Sequence, residues 1–159
     1  MNSTKIFSYI LISVIIGLLS CTSDPQEPTG TFNVTLSGGL NDQLQGNARF
    51  NLLPSSTNGR IIINLEQSES VYIRLTFFNP DPAQIFLEPG TYTVVDQAGQ
   101  NVTSEVLVDY ISQVGSFSAS SGAINVGIVK DTQIKGDLVN ILFNTINVTC
   151  NGSFDAIPE

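Results

Sequence analysis

The chain is 159 residues long, with 6 Lys+Arg against 14 Asp+Glu and no His. A formal charge of −8 removes the electrostatic basis for binding nucleic acid, and the lack of His removes Ser-His-Asp and Cys-His catalysis and the Glu-x-x-His metal pattern. With 42% hydrophobic and 13% charged residues, the composition is that of a folded domain rather than a disordered chain.

Met1 to Ser20 reads as an export segment. Lys5 closes a short polar stretch, and Ile6 through Leu19 is an apolar run interrupted only by Ser8, Ser13 and Gly17. As a helix that run rises about 21 Å, short of the roughly 30 Å hydrocarbon core, so a signal-peptide core fits better than a membrane span. It ends in Leu18-Leu19-Ser20-Cys21, which resembles the bacterial lipobox. The resemblance implies that the Cys21 thiol is diacylated, the peptide is cut before it, and the new amino group is acylated. A plain secretory signal with an incidental Cys, or an uncleaved anchor, is the alternative. Each buried methylene contributes about 0.8 kcal/mol, so two or three acyl chains on Cys21 would hold the protein on a membrane. Thr22 is not the Asp that retains enteric lipoproteins at the inner membrane, so the resemblance implies the outer membrane, facing periplasm or surface.

Residues 21–30 combine two prolines, small polar residues, Asp24 and Glu27, and read as a solvated tether. Its two acids faintly resemble the acidic surface-export tether of Bacteroidota lipoproteins.

Residues 31–159 read as a single β domain. Phe32, Val34 and Leu36 alternate with polar residues, as do Ala48, Phe50 and Leu52, and Val71, Ile73, Leu75 and Phe77. The longest run sets Ile146, Val148, Cys150, Gly152, Phe154 and Ala156 against Asn147, Thr149, Asn151, Ser153 and Asp155. Period 2 means half-buried strands, and no window after Gly30 carries a helical pattern of useful length. Turn signals at Gly38-Gly39, 54–59, 79–82, Pro89-Gly90, Gly99, Gly122 and Asp131-Thr132 leave nine or ten strands, centred near 34, 50, 63, 74, 93, 108, 117, 126, 138 and 150. This predicts an all-β fold, either an antiparallel sandwich or a barrel-like closed sheet.

Two local features stand out. Ile134, Gly136 and Leu138 share one parity, whereas Val139, Ile141 and Phe143 follow the other. A bulge near Leu138-Val139 keeps both sets inward, and the alternative is a break into two short strands. Gly115-Ser-Phe-Ser-Ala119 echoes Gly152-Ser-Phe-Asp-Ala156, with Gly30-Thr-Phe32 a weaker copy. Gly-small-Phe reads as a strand start that drives Phe into the core, not as a solenoid repeat.

The lipobox, Gly30-Thr-Phe32, Pro89-Gly90-Thr-Tyr92 and the closing pattern Gly122-Ala-Ile-Asn-Val126, Ile134-Lys-Gly136 and Cys150-Asn-Gly-Ser-Phe154 together resemble small Bacteroidota lipoproteins built on an all-β domain of unknown function. At Lys135-Gly136-Asp137-Leu138 the chain has Leu where an aromatic is common. The resemblance implies a fold and a location, and assigns no activity to particular residues.

Chemistry-bearing residues are sparse. With Cys21 acylated, Cys150 has no disulfide partner, and its parity buries it as a small hydrophobe. A glycosidase needs two acids roughly 5–10 Å apart, whereas Glu105 and Asp109 lie about 13 Å apart at strand rise. No calcium loop is present, and nothing implies another metal or a cofactor. The sequons at Asn33, Asn101, Asn147 and Asn151 fit an Asn/Thr-rich outer strand face. The ladder Asn147, Thr149, Asn151, Ser153 and the outward candidates Tyr72, Phe78, Phe86 and Tyr110 are the hints of a sugar-binding face. The expectation is a non-enzymatic, lipid-anchored β domain of a bacterial cell envelope, structural or part of an assembly with a protein partner. Its rival is a lipoprotein that binds carbohydrate or peptide, with a carboxylate enzyme a distant third. In this reading Phe154→Ala is costly, and Asn151→Ala on the outer face is neutral.

Overall fold

The computed structural model describes residues 29–53, 59–79, 87–97 and 102–159. Ten strands run in chain order: β1 (Thr31–Gly38), β2 (Asp42–Leu53), β3 (Gly59–Ser68), β4 (Val71–Asn79), β5 (Gly90–Val94), β6 (Glu105–Ser112), β7 (Gly115–Ser118), β8 (Ser121–Lys130), β9 (Gln133–Phe143) and β10 (Val148–Pro158). The only helical turns among the described residues are 3-10, at Val102–Ser104 and Asn144–Ile146. None of the described helices is long and apolar enough to cross a membrane.

Of the two predicted architectures, the chain adopts the barrel-like closed sheet. Strand order is β4-β3-β2-β1-β10-β9-β8-β5-β6, and β4 pairs back onto β6 from Tyr72↔Ile111 to Phe77↔Val106. Closure satisfies the backbone groups that an open sheet leaves exposed at its edges. One edge of β6 is shared: β5 pairs with Glu105 and Val106, and β7 with Asp109 to Ser112. The strands alternate as their sequences require, and the inward set from Phe32 to Ala156 forms one apolar core inside the ring. Thr76 is the one buried polar side chain among the described residues.

A row of residues crosses six strands in register: Gly46, Phe32, Phe154, Gly136, Val126 and Gly90. The two phenylalanines are 4% exposed and sit side by side with glycines flanking them. A Cβ on Gly136 would lie 2.8 Å from Cζ of Phe154 and 2.6 Å from the Asn125 carbonyl oxygen, so the missing side chain is what admits the ring. Phe32, Phe154 and Gly136, picked out in the sequence, therefore lock four adjacent walls together with Gly46, which was not.

The phase change in β9 is a bulge. Cys150 faces Ile141 and Gly152 faces Leu138, so Val139 and Asn140 together oppose Asn151. Asn140 takes up the extra residue at φ 51°, and its N–H donates to Oδ1 of Asn151 at 2.7 Å. Leu138, Ile141 and Phe143 all stay buried as a result.

Two expectations need correction. Ile146 and Asn147 are not part of the last strand: Ile146 ends a 3-10 turn, and Asn147, at φ 54°, turns the chain into β10. Leu52 is 43% exposed, because β10 pairs with β2 only as far as Phe50 and, among the described residues, Leu52 has a cross-strand neighbour on one side only, Ile61 of β3. Gly30, just before β1, is buried, and its carbonyl accepts from the Ala48 N–H at 3.1 Å.

Register gives the barrel two distinct ends. One carries the turns 38–41, 113–114 and 144–147 and is called the turn end. The other carries Gly30, Leu53, the Asp131-Thr132 turn and Glu159, and is called the terminal end.

Candidate functional site

Cys21, the residue expected to be acylated, lies outside the described residues, as do Asn101 and Phe86. Cys150 is fully buried between the inward positions of its strand partners Leu36 and Ile141. Burial pushes its thiol up to about 12, which keeps it protonated and unreactive at neutral pH.

The aromatic candidates separate. Tyr110 is only 5% exposed, because it shares the inward parity of Val106 and Val108. Its ring stacks on Phe117 at 6.3 Å and meets Phe143 at 6.0 Å. Tyr72 and Phe78 do face outward on β4, but each is covered by a cation: the Arg74 guanidinium lies 5.4 Å over Tyr72, and that of Arg60 lies 5.7 Å over Phe78. Tyr110 therefore does not share an outer face with Tyr72 and Phe78.

The acids lie on outer faces. Glu105 and Asp109 both point out of β6, and Asp109 accepts from the Ser118 hydroxyl at 2.6 Å. Asp155 pairs with Lys135 at 2.6 Å and accepts from the Gln133 amide at 2.9 Å. Among the described residues, no group of three or more acidic or Cys side chains gathers in a way that could hold a metal ion.

Two concave features remain. Across the outer faces of β1, β10, β9 and β8 runs a groove of about 480 Å³, bordered by Thr31, Asn33, Ser153, Asp155, Lys135 and Asp137. Gly127 and Ile128 form its far wall, where a second bulge places them opposite the step from Gly136 to Lys135. Of the polar ladder, Thr149, Asn151 and Ser153 face out of β10, and Ser153 alone reaches this groove.

The other feature is at the turn end, where a pocket of about 320 Å³ lies between Leu40, Val114, Phe117, Ile146 and Val148, with Tyr110 in its wall. Val114 is 86% exposed and Leu40 38%, each at the tip of a tight turn where polar residues are usual. The Tyr110 hydroxyl is held above its ordinary value by burial and by the nearby Asp42 carboxylate, with a hydrogen bond from Ser112 acting the other way. It is therefore a neutral hydrogen-bonding group, paired with Ser112, in a mainly apolar hollow.

Sequence reasoning missed this pocket. Its signal was Leu40 directly after Gly38-Gly39, read there only as a turn, and Val114 directly before Gly115, where no turn was read. Comparison with family models, with curated proteins and with solved structures gives no match for this chain.

Proposed function

We propose that the protein is a lipid-anchored, non-enzymatic β-barrel domain of a bacterial cell envelope, and that it contributes to a protein assembly by contact at its turn end. One observation carries the reading: Leu40 and Val114 frame an apolar pocket at the end opposite Gly30, from which the chain leads back to Cys21. Solvent-facing apolar side chains around a hollow whose polar side chains are the neutral hydroxyls of Tyr110 and Ser112 are what a partner's apolar side chain needs for burial. A domain tethered at one end presents the other to its surroundings.

The test is the size of the protein solubilised from its own membrane in mild detergent. The wild type is expected to elute in a complex, and Leu40→Asp with Val114→Asp to elute alone while staying membrane-bound. Identical elution of the two would overturn the reading.

The groove over β1, β10, β9 and β8 favours a second reading, glycan binding. Its hydroxyl, amide and carboxylate groups suit sugar hydroxyls, although among the described residues no exposed ring lines it for stacking. Glycan-array binding lost on Asp137→Ala and retained on Leu40→Asp would move the function there.

A further inference from the structure

The terminal end carries an apolar feature of its own. Leu52 and Leu53, consecutive at the end of β2, are 43% and 42% exposed. A strand normally turns one of two neighbours inward; here both are open because β10 stops at Pro158, opposite Phe50. Leu52 also borders a small apolar hollow of about 90 Å³ with Phe50, Leu87, Val129 and Ile134. Cations flank it: Arg60 is the cross-strand partner of Leu53, and Lys130 lines the hollow. Acids offset them, since Glu88, Asp131 and Glu159 lie at the same end.

The chain's path says what covers these leucines. Gly30 is wedged between β2 and β10 at this same end, where a Cβ would lie 2.0 Å from the Ala48 carbonyl oxygen. From there back to Cys21 a fully extended chain reaches at most about 30 Å. An acylated Cys21 thus keeps the terminal end within one short tether of the bilayer, and in an upright barrel the turn end stands farther off by the barrel height, about 25 Å for a ten-residue strand tilted by about 40°.

We propose that the terminal end is a membrane-contact face, with Leu52 and Leu53 seated in the headgroup region of the bilayer that holds the lipid anchor. This rests on the acylation of Cys21 and adds to it a fixed orientation, turn end outward. The tether supplies a high local concentration of bilayer surface, so two leucines suffice where they would not bind unaided. The acids Glu88, Asp131 and Glu159 outnumber the cations Arg60 and Lys130, so the end has no excess of positive charge to draw it to anionic lipid, and the contact is apolar and insensitive to salt.

The buried thiol of Cys150 and a blocked Cys21 allow a single introduced cysteine to be labelled. Full-length Leu53→Cys and Val114→Cys proteins, purified from membranes and carrying a thiol-linked fluorophore, are reconstituted into phosphatidylcholine vesicles with or without lipids spin-labelled at the headgroup. Their mass first establishes whether Cys21 is acylated. The expected result is loss of most emission at position 53, none at 114, and no change with added salt. Leu52→Cys serves as the second probe should Leu53→Cys fold poorly.

Acylated protein that floats with the vesicles but is quenched at neither position stands off the bilayer, which overturns the contact face and leaves the anchor intact. Quenching at 114 instead of 53 overturns the orientation. Quenching at 53 that high salt abolishes makes the contact electrostatic and overturns its apolar basis. Protein without acyl chains removes the anchor and the proposal together.

Discussion

Phe154 and Ser153 are neighbours on β10 with opposite fates: Phe154 is 4% exposed beneath Gly136, and Ser153 faces the outer groove. Phe154→Ala should cost about 3–5 kcal/mol through lost burial and a residual cavity, and Ser153→Ala should fall within about 0.5 kcal/mol, both read from denaturant melts. Asn151 is not the neutral position its outward parity suggests. Its side chain accepts the bulge N–H, so Asn151→Ala is expected to cost about 0.5–1.5 kcal/mol. Parity places a side chain on a face, but it cannot say which backbone group on the next strand has lost its partner. Cys150 gives a second test. Its thiol rises from an ordinary value of 9.0 to about 12 on burial. Above about pH 9 the unfolded chain therefore releases a proton that the folded chain keeps, and stability falls by up to about 1.4 kcal/mol per pH unit. Below that pH the contribution is fully present. Tyr92 and Tyr110, both raised chiefly by burial, add a loss of the same sign at higher pH. Denaturant midpoints at about pH 8 and pH 10 should therefore draw together in Cys150→Ala compared with the wild type. In the native wild type, Cys150 should resist thiol reagents until the barrel unfolds.

At the scale of the strand, the bulge in β9 explains how one sequence changes parity without turning Ile141 and Phe143 to solvent. The phase change was legible in the pattern itself; the residue absorbing it was not, because Asn140 enters the left-handed region only under the constraint of β8 and β10 together. Asn140→Gly should be tolerated, and Asn140→Val should cost about 1–2 kcal/mol, because a β-branched residue resists φ near +51°. Equal stability of the two variants would mean that the bulge relocates. Gly136 is a different case, a close approach rather than a dihedral. Gly136→Ala is expected to cost about 1–3 kcal/mol by overpacking against Phe154 and the Asn125 carbonyl. The Pro89-Gly90-Thr-Tyr92 segment was visible as a strand start. Its anchoring was not: the Tyr92 hydroxyl donates to the Glu88 carbonyl at 2.7 Å while its ring meets Phe77 edge-on at 5.0 Å.

For the whole molecule, alternation and turn signals placed nine or ten strands close to where the ten stand, and left sandwich and barrel open. That choice depends on one long-range pairing, β4 with β6, which joins strands separated by β5 and which no local pattern announces. The same pairing brings Tyr110 inside and removes it from the sugar-binding candidates. The apolar residues that matter most for the proposed function, Leu40, Val114, Leu52 and Leu53, are those that break the rule of polar turns and buried apolar parity. They cluster at the two ends of the barrel, and that separation gives the account its polarity: anchor and bilayer at one end, partner at the other. Everything in that arrangement depends on the chain being held at Cys21. The mass of the amino-terminal peptide from the protein purified out of its own membranes tests this most directly. The account predicts a mature chain beginning at Cys21, with a diacylglyceryl group on the thiol and an acyl group on the amine. A chain that still begins at Met1, or a Cys21 with a free thiol, would contradict it.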